Sequence, residues 1–382
     1  MVYNAFGRIS PKVSRFGMGC MRFPHTTDGQ GNDVIDAEES IRMIRYAISK
    51  GVNYFDTAYA YPGSEEVLGK ALKGGYREKV IVATKCPMHE TGHCSDYIRV
   101  LNESLRRLGT DYIDIYLFHS LDRTGWEKVK STNGIAMLEE MKKTGKIRAI
   151  GFSFHADHDL FREIIDAFQW DMCLIQLNIL DCDHQAGVRG LKYAGEKSIP
   201  VAIMEPLKGG ILGGEPPEEV AKLLDSYHEK RSLVEWSFRW LYSQKEVKVV
   251  LSGVNAMDQL KDNIRIFSEA DTDVLSPQDE ELLKQIRSIY ASRVRVGCTG
   301  CGYCMPCPNN VNIPEIFKVY NDSALSAWTE FGKTFYSLVA VSNGRDVSKC
   351  TGCRLCEKRC PQRIPVATRL REAHEAMKPE QD

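Results

Sequence analysis

YIDIYLFH, residues 112–119, is a run in which apolar residues fill nearly every place in both alternating sets and which ends on a histidine. A strand with one face in water alternates apolar and polar residues. A strand apolar on both faces is buried on both, as parallel strands covered by helices are. Just upstream, DYIRVLNESLRRLG (96–109) repeats apolar residues at helical spacing. Working outward in both directions, the same alternation of helix and buried strand recurs about every thirty residues. Strands are predicted at FGMGC (16–20), NYFDTA (53–58), VIVATK (80–85), YIDIYLFH (112–119), IRAIGFSF (147–154), CLIQLNIL (173–180), PVAIMEP (200–206) and VKVVLSGV (247–254). Helical stretches such as SEEVLGKALKG follow them. Eight such units in series predict an α/β fold, a closed parallel (β/α)8 or TIM barrel, with an open doubly wound sheet as the alternative. Function then belongs at the C-terminal ends of the strands.

A chain of 382 residues exceeds one compact core. The predicted division is a barrel over 1–293 and a small, mainly helical domain over 294–382. Lys and Arg total 50 against 51 Asp and Glu, a net charge of −1. There is no basic field for phosphate backbones, so nucleic acid is not an expected partner. No apolar run approaches the roughly 20 residues of a membrane span, and MVYNAFGRIS lacks the apolar stretch of a secretion signal. A cytoplasmic protein with no membrane association is expected. The 13 cysteines are odd in number, which argues against a disulfide framework. Cys20, Cys86, Cys94, Cys173 and Cys182 are scattered and read as packing residues. His89, His93 and Cys94 share one loop segment, and no metal is assigned to them.

The strand ends carry polar residues. Strand two delivers Asp56 and, just past it, Tyr61; strand three ends in Lys85; strand four ends in His119. A cationic lysine beside a phenol lowers the phenol's pKa from about 10, which makes Tyr61 a candidate proton donor. Asp56 would hold the lysine, and His119 could orient a carbonyl oxygen. Any one of these alone reads as a strand end meeting water. Four on three consecutive strands point to catalysis.

This constellation resembles the aldo-keto reductases over roughly the first 290 residues. FDTAYAY, ATK and DYIDIYLFH carry the family's Asp-Thr-Ala-x-x-Tyr, lysine and strand-four histidine. The resemblance implies Tyr61 as general acid, Asp56 and Lys85 as its tuning pair and His119 as substrate orienter, with a small-molecule carbonyl as substrate. It further implies a nicotinamide dinucleotide, NADP(H) or NAD(H) and in this family usually NADPH, bound without a GxGxxG loop. The contacts carried over are Gly19 and Cys20 of the first strand, Asp56, Ser153, Gln176 of LIQLN, Met204 with Leu207 and Gly209 of MEPLKGG, and Gln259 and Asn263 of MDQLKDNI. Phe154 follows Ser153 where the family usually has Asn, Met204 stands where a Tyr commonly stacks, and Gly253 and Gln259 stand where some members clamp a 2′-phosphate with Lys and Arg. The segments 87–96 and 121–132 are candidate pocket walls.

After the helix SPQDEELLKQIRSIYAS come CTGCGYCMPCP (298–308) and CTGCRLCEKRCP (350–361). The second is the C-x2-C-x2-C-x3-C-P form of a [4Fe–4S] site, and the first is one residue shorter. In two-cluster ferredoxins the remote cysteine reaches across to the other cube. Cys298, Cys301, Cys304 and Cys360 are therefore assigned to one [4Fe–4S] cluster, and Cys350, Cys353, Cys356 and Cys307 to a second. Structural zinc also takes thiolates, but zinc sites pair two C-x2-C knuckles without a third cysteine at the same interval. The tail resembles a dicluster ferredoxin module, and the whole chain resembles the aldo-keto reductase subgroup that carries one. Three readings stay open: a carbonyl reductase whose clusters serve structure or redox sensing, an electron-transfer enzyme linked to a ferredoxin or other redox protein, and a non-catalytic barrel acting as a docking scaffold.

Overall fold

The computed structural model describes residues 1–269, 275–298, 300, 302–325 and 330–379. Eight parallel strands close a barrel: β1 (Phe16–Gly19), β2 (Tyr54–Asp56), β3 (Ile81–Pro87), β4 (Ile113–Leu121), β5 (Ile147–Phe154), β6 (Met172–Gln176), β7 (Val201–Met204) and β8 (Val247–Gly253). Each pairs with its neighbours in sequence, and β8 pairs back onto β1, Val250 beside Phe16 and Gly253 beside Gly19. All eight predicted strands are present. β3 and β4 run two residues further than expected, while β6 stops at Gln176 because the side chain of Asn178 takes the N–H groups of Leu180 and Asp181, both at 3.0 Å, and turns the chain.

The interior follows strand parity. Tyr54, Ile81, Ala83, Ile115, Leu117, Ala149, Met172, Leu174, Ala202, Val249 and Leu251 form one buried cluster, every second residue of its strand facing inward. Gly17 shares that parity and has no room to be anything larger. A Cβ there would stand 2.6 Å from Leu251 Cδ2. An antiparallel hairpin that the sequence reading did not find, Tyr3–Phe6 with Ile9–Ser14, adds Phe6 and Val13 to this core, Phe6 lying edge-on to Tyr54 at 5.9 Å.

The helices are α1 (Ala37–Ser49), α2 (Ser64–Ala71), α3 (Cys94–Leu108), α4 (Arg123–Ser131), α5 (Gly134–Lys143), α6 (His158–Ala167), α7 (Gly187–Glu196), α8 (Glu218–Ser226), α9 (Leu233–Tyr242) and α10 (Met257–Ser268). Aspartates start several of them: Asp36, Asp122 and Asp157 each accept from the N–H three residues on, which satisfies a donor the helix leaves open. Asp122 thereby converts most of the expected wall segment 121–132 into α4. Gly69 lets α2 touch the end of α3, since a Cβ would lie 2.5 Å from the Leu108 carbonyl oxygen.

Contacts divide the chain into two compact units, Met1–Pro206 with Ser237–Leu275, and Leu207–Trp236 with Ser276–Asp382. The second contains α8, α11 (Pro277–Ser292), α12 (Ile313–Leu325), α13 (Phe331–Tyr336), α14 (Leu355–Arg359) and α15 (Val366–Met377). Its core packs Val311, Ile313, Phe317, Tyr336, Val347 and Leu370 together. Tyr336 ties α13 to α15 through His374 Nδ1 at 2.7 Å, and its hydroxyl oxygen accepts the Val347 N–H at 3.1 Å. Asp322 of α12 pairs with Lys208 at 3.4 Å.

Candidate active site and cluster ligands

Asp56, Lys85, His119, Ser153, Gln176 and Met204 all continue the inward parity of their strands, one step beyond the last apolar layer. The barrel's topmost interior layer is therefore polar except at Met204. Lys85 is buried, and its Nζ donates to Asp56 Oδ1 at 2.6 Å and to the Thr57 carbonyl at 2.8 Å. The same Nζ lies 5.0 Å from the centre of the Tyr61 ring, and Tyr61 stands edge-on to His119 at 5.8 Å. The structure thus brings the four predicted catalytic residues together. Tyr61 comes from the β2–α2 turn, where its N–H bonds the Ala58 carbonyl at 3.0 Å and its carbonyl takes the Ser64 N–H at 3.1 Å.

Burial dominates the electrostatics. It pushes the Tyr61 phenol above its ordinary value even though Lys85 pulls the other way, so the expected downward shift is reversed. Burial raises Asp56 as well, against the pull of Lys85. For Lys85 burial opposes the charge, but Asp56 and Tyr61 outweigh it and hold the ammonium above its ordinary range. His119 is pushed down to about 3, first by burial and then by the Lys85 charge, and is neutral at physiological pH. The buried Cys20 thiol, above all through burial, is held neutral too.

Of the predicted cofactor contacts, Ser153 is buried, with its Oγ accepting the Ser120 N–H at 2.7 Å, and Gln176 sits beside Met204 in register. Gln176 Nε2 donates to Asp181 Oδ2 at 3.1 Å, and Asn178 Nδ2 donates to the same oxygen at 3.0 Å. Asp181 and Asn178 were not singled out from sequence; their signal is the pair of polar residues within LNILD, just past an inward glutamine. Phe154 has the opposite parity and packs outward on Phe152 and Phe161, so its ring is core. Asn263 is buried and donates to Ser252 Oγ at 3.1 Å, and Gln259 is exposed with its Oε1 accepting the Asn255 N–H at 3.1 Å. Leu207 and Gly209, the latter at φ 66°, belong to the second unit. Gly19 ends β1, and Cys20 opens the turn after it. Asp56 Oδ2 is buried without a partner, an acceptor that suits a hydroxyl of a nicotinamide nucleotide.

In the second unit Cys307, Cys350, Cys353 and Cys356, with Cys304, line one cavity of about 460 Å³. Cys298, Cys304 and Cys360 line a smaller one. Cys301 lies outside the described residues. The two motifs share a backbone device that composition does not reveal: Gly300 and Gly302 are left-handed at φ 71° and 75°, as are Gly352 and Arg354 at the matching places, at 71° and 57°. The same left-handed turn thus recurs in both loops, with glycine at three of the four places and Arg354 at the fourth.

Residues 15–287 match the model of the aldo/keto reductase family, and residues 297–364 match that of a 4Fe-4S dicluster domain. Similar proteins include an NADH-specific methylglyoxal reductase of Escherichia coli, 28% identical over 72% of this chain and 98% of that protein. An L-galactose dehydrogenase of Arabidopsis thaliana is 27% identical over 75% of this chain and 93% of that protein. Among solved structures, the holo form of aldo-keto reductase AKR11C1 from Bacillus halodurans superposes with a TM-score of 0.62 at 26% identity, over 75% of this chain and 96% of that one.

Proposed function

The chain belongs to the aldo/keto reductase family and is an oxidoreductase with an iron–sulfur module, and from that premise we propose that it reduces the carbonyl group of a small molecule, with Tyr61 as general acid. The observation that carries this reading is the buried Lys85–Asp56 pair lying against Tyr61 and, through it, His119. A nicotinamide dinucleotide, when bound, would supply the hydride. Tyr61, which burial keeps protonated, gives its proton to the oxygen that becomes the alcohol. Lys85, fixed by Asp56 and the Thr57 carbonyl, stabilises the phenolate left behind without having to reorient. Neutral His119 has one N–H to offer the same oxygen.

Asp56, Ser153, Gln176 and Met204 would hold the nicotinamide end, with Gly19 and Cys20 at the neighbouring end of β1, and Gln259 and Asn263 would hold the adenosine end. NAD(H) is favoured over NADP(H), because Gly253 and Gln259 replace charged groups that would clamp a 2′-phosphate and because the Escherichia coli relative is NADH-specific. The module, proposed as residues 294–382 after a barrel of 1–293, would carry two [4Fe–4S] clusters, Cys298, Cys301, Cys304 and Cys360 on one and Cys307, Cys350, Cys353 and Cys356 on the other. The cavity linings support this crossed arrangement. A cytoplasmic location is proposed, where thiolates stay reduced.

The test is oxidation of NADH and NADPH against a panel of aldehydes and ketones by wild-type protein and Tyr61→Phe. Loss of one hydroxyl should lower turnover at least ~100-fold while cofactor binding persists. Equal rates would remove Tyr61 from the acid role.

A further inference from the structure

From Lys349 to Arg363 the chain carries five cations, Lys349, Arg354, Lys358, Arg359 and Arg363, against a single acid, Glu357. All five cations are exposed, and none forms an ion pair with a described residue. Elsewhere many exposed helix cations are neutralised one turn away, as in Arg42–Glu39, Arg106–Glu103 and Arg369–Glu372, and those that are not, such as Lys70 and Arg189, are each the one unpaired cation of their helix. Glu357 does not neutralise its neighbours; it accepts the Ala367 N–H at 3.0 Å and caps the start of α15. Like charge concentrated without neutralisation opposes folding, so this stretch of chain is held at a cost to stability.

The charge is one-sided. Residues 297–312, around the first cysteine motif, contain no charged side chain, whereas Arg354 and Arg359 line the cavity of Cys307, Cys350, Cys353 and Cys356. Cys353 is itself exposed, and Leu355 beside it is 41% exposed. An exposed ligand at the centre, an apolar contact and a cationic rim are what a brief electron-transfer encounter requires. Such interfaces are small, and charge sets their encounter rate more than their affinity.

We propose that the face around Cys353 is the docking site of a small acidic one-electron carrier protein of the ferredoxin type. This rests on the reading above that Cys350, Cys353, Cys356 and Cys307 hold a [4Fe–4S] cluster. One electron leaves the reduced carrier, which is thereby oxidised, and enters the cluster, which is reduced by one unit; no bond breaks and no proton moves.

The experiment uses anaerobic holoprotein and, as probe, an acidic [2Fe–2S] ferredoxin. Association with the oxidised probe is followed by surface binding kinetics, and electron exchange with the reduced probe by stopped-flow absorbance, each across ionic strength. Wild-type rates should fall steeply with salt. The double variant Lys358→Glu/Arg359→Glu should associate ~10–100-fold more slowly at low salt and lose the salt dependence. Lys73→Glu on the barrel should behave as wild type. Iron, sulfide and the paramagnetic signal of the reduced clusters are measured in every variant. Unaltered values keep failure of docking distinct from failure of ligation, and a wild-type protein without iron would overturn the cluster reading itself. The docking proposal is overturned if the double variant associates like wild type, including the case in which only the cluster potential shifts and the cations serve merely to balance cluster charge. It is equally overturned if an acidic protein without a redox centre binds as well as the ferredoxin.

Discussion

A carboxylate has no hydrogen to give, and that determines how Gln176 stands. Its Nε2 faces Asp181, so its carbonyl oxygen is turned away, and under the proposed function that oxygen would accept from the nicotinamide carboxamide. Asn178 is fixed still more firmly, its oxygen taking two backbone N–H groups and its nitrogen facing the same carboxylate. Asp181→Ala should therefore raise the Kd for the nicotinamide nucleotide about 10-fold, or ~1.4 kcal/mol, read by fluorescence titration. Asp181→Asn, which keeps an acceptor oxygen, should recover most of the loss; unchanged binding in Asp181→Ala would remove this residue from the site. His119 makes a second prediction. Its folded pKa, about 3 against an ordinary 6.5, means that the unfolded chain binds a proton the folded chain refuses. Its contribution is thus fully present above pH 6.5 and is lost as the pH falls toward 3. His119→Asn should flatten the pH dependence of stability across that window in denaturant titrations, and an identical slope would show that His119 is not held neutral. The four proposed catalytic residues were legible in the sequence because each lies near the C-terminal end of a strand or just past it. The direction of the Tyr61 shift was not, since burial comes from the whole barrel and outweighs the neighbouring cation.

At the scale of elements, parity explains both what the sequence showed and what it hid. Long strands such as β4 announce themselves by apolar runs on both faces, and β4 places His119 by counting in twos from Ile115 and Leu117. Counting also separates Ser153 from Phe154, a distinction that motif comparison misses. The strands Tyr3–Phe6 and Ile9–Ser14 are too short and too polar to stand out, and only packing of Phe6 and Val13 on the interior reveals their purpose. Cysteine spacing made the cluster loops legible, while their shared left-handed backbone was not, because Arg354 occupies a place where glycine would be expected. Crossed ligation assigns the fourth ligand of each cube to the opposite loop, so Cys307→Ser should disturb the cluster of Cys350, Cys353 and Cys356. Paramagnetic resonance of the reduced variant, compared with Cys353→Ser and Cys298→Ser, reads this. A signal change that matches Cys298→Ser alone would return Cys307 to its own motif.

For the whole molecule, two kinds of redox chemistry share one chain, and they differ in electron count. A nicotinamide gives up two electrons together as a hydride, whereas each cube takes one. Under the proposed function Lys85, Asp56, Tyr61 and His119, which lie together, would donate a proton to a carbonyl that is accepting a hydride, and that step would need no electron from a cluster. The cysteine module would handle single electrons instead, if the clusters proposed for it transfer them. The most direct test follows the hydrogen itself: the holoprotein turns over a carbonyl substrate with a nicotinamide dinucleotide carrying two deuterons at C4 of the reduced ring, and the alcohol is analysed by mass spectrometry. Direct transfer at the barrel site places one deuteron on the former carbonyl carbon in every product molecule. Alcohol formed without deuterium would mean that the electrons travel separately from the hydrogen, and would contradict hydride reduction at this site.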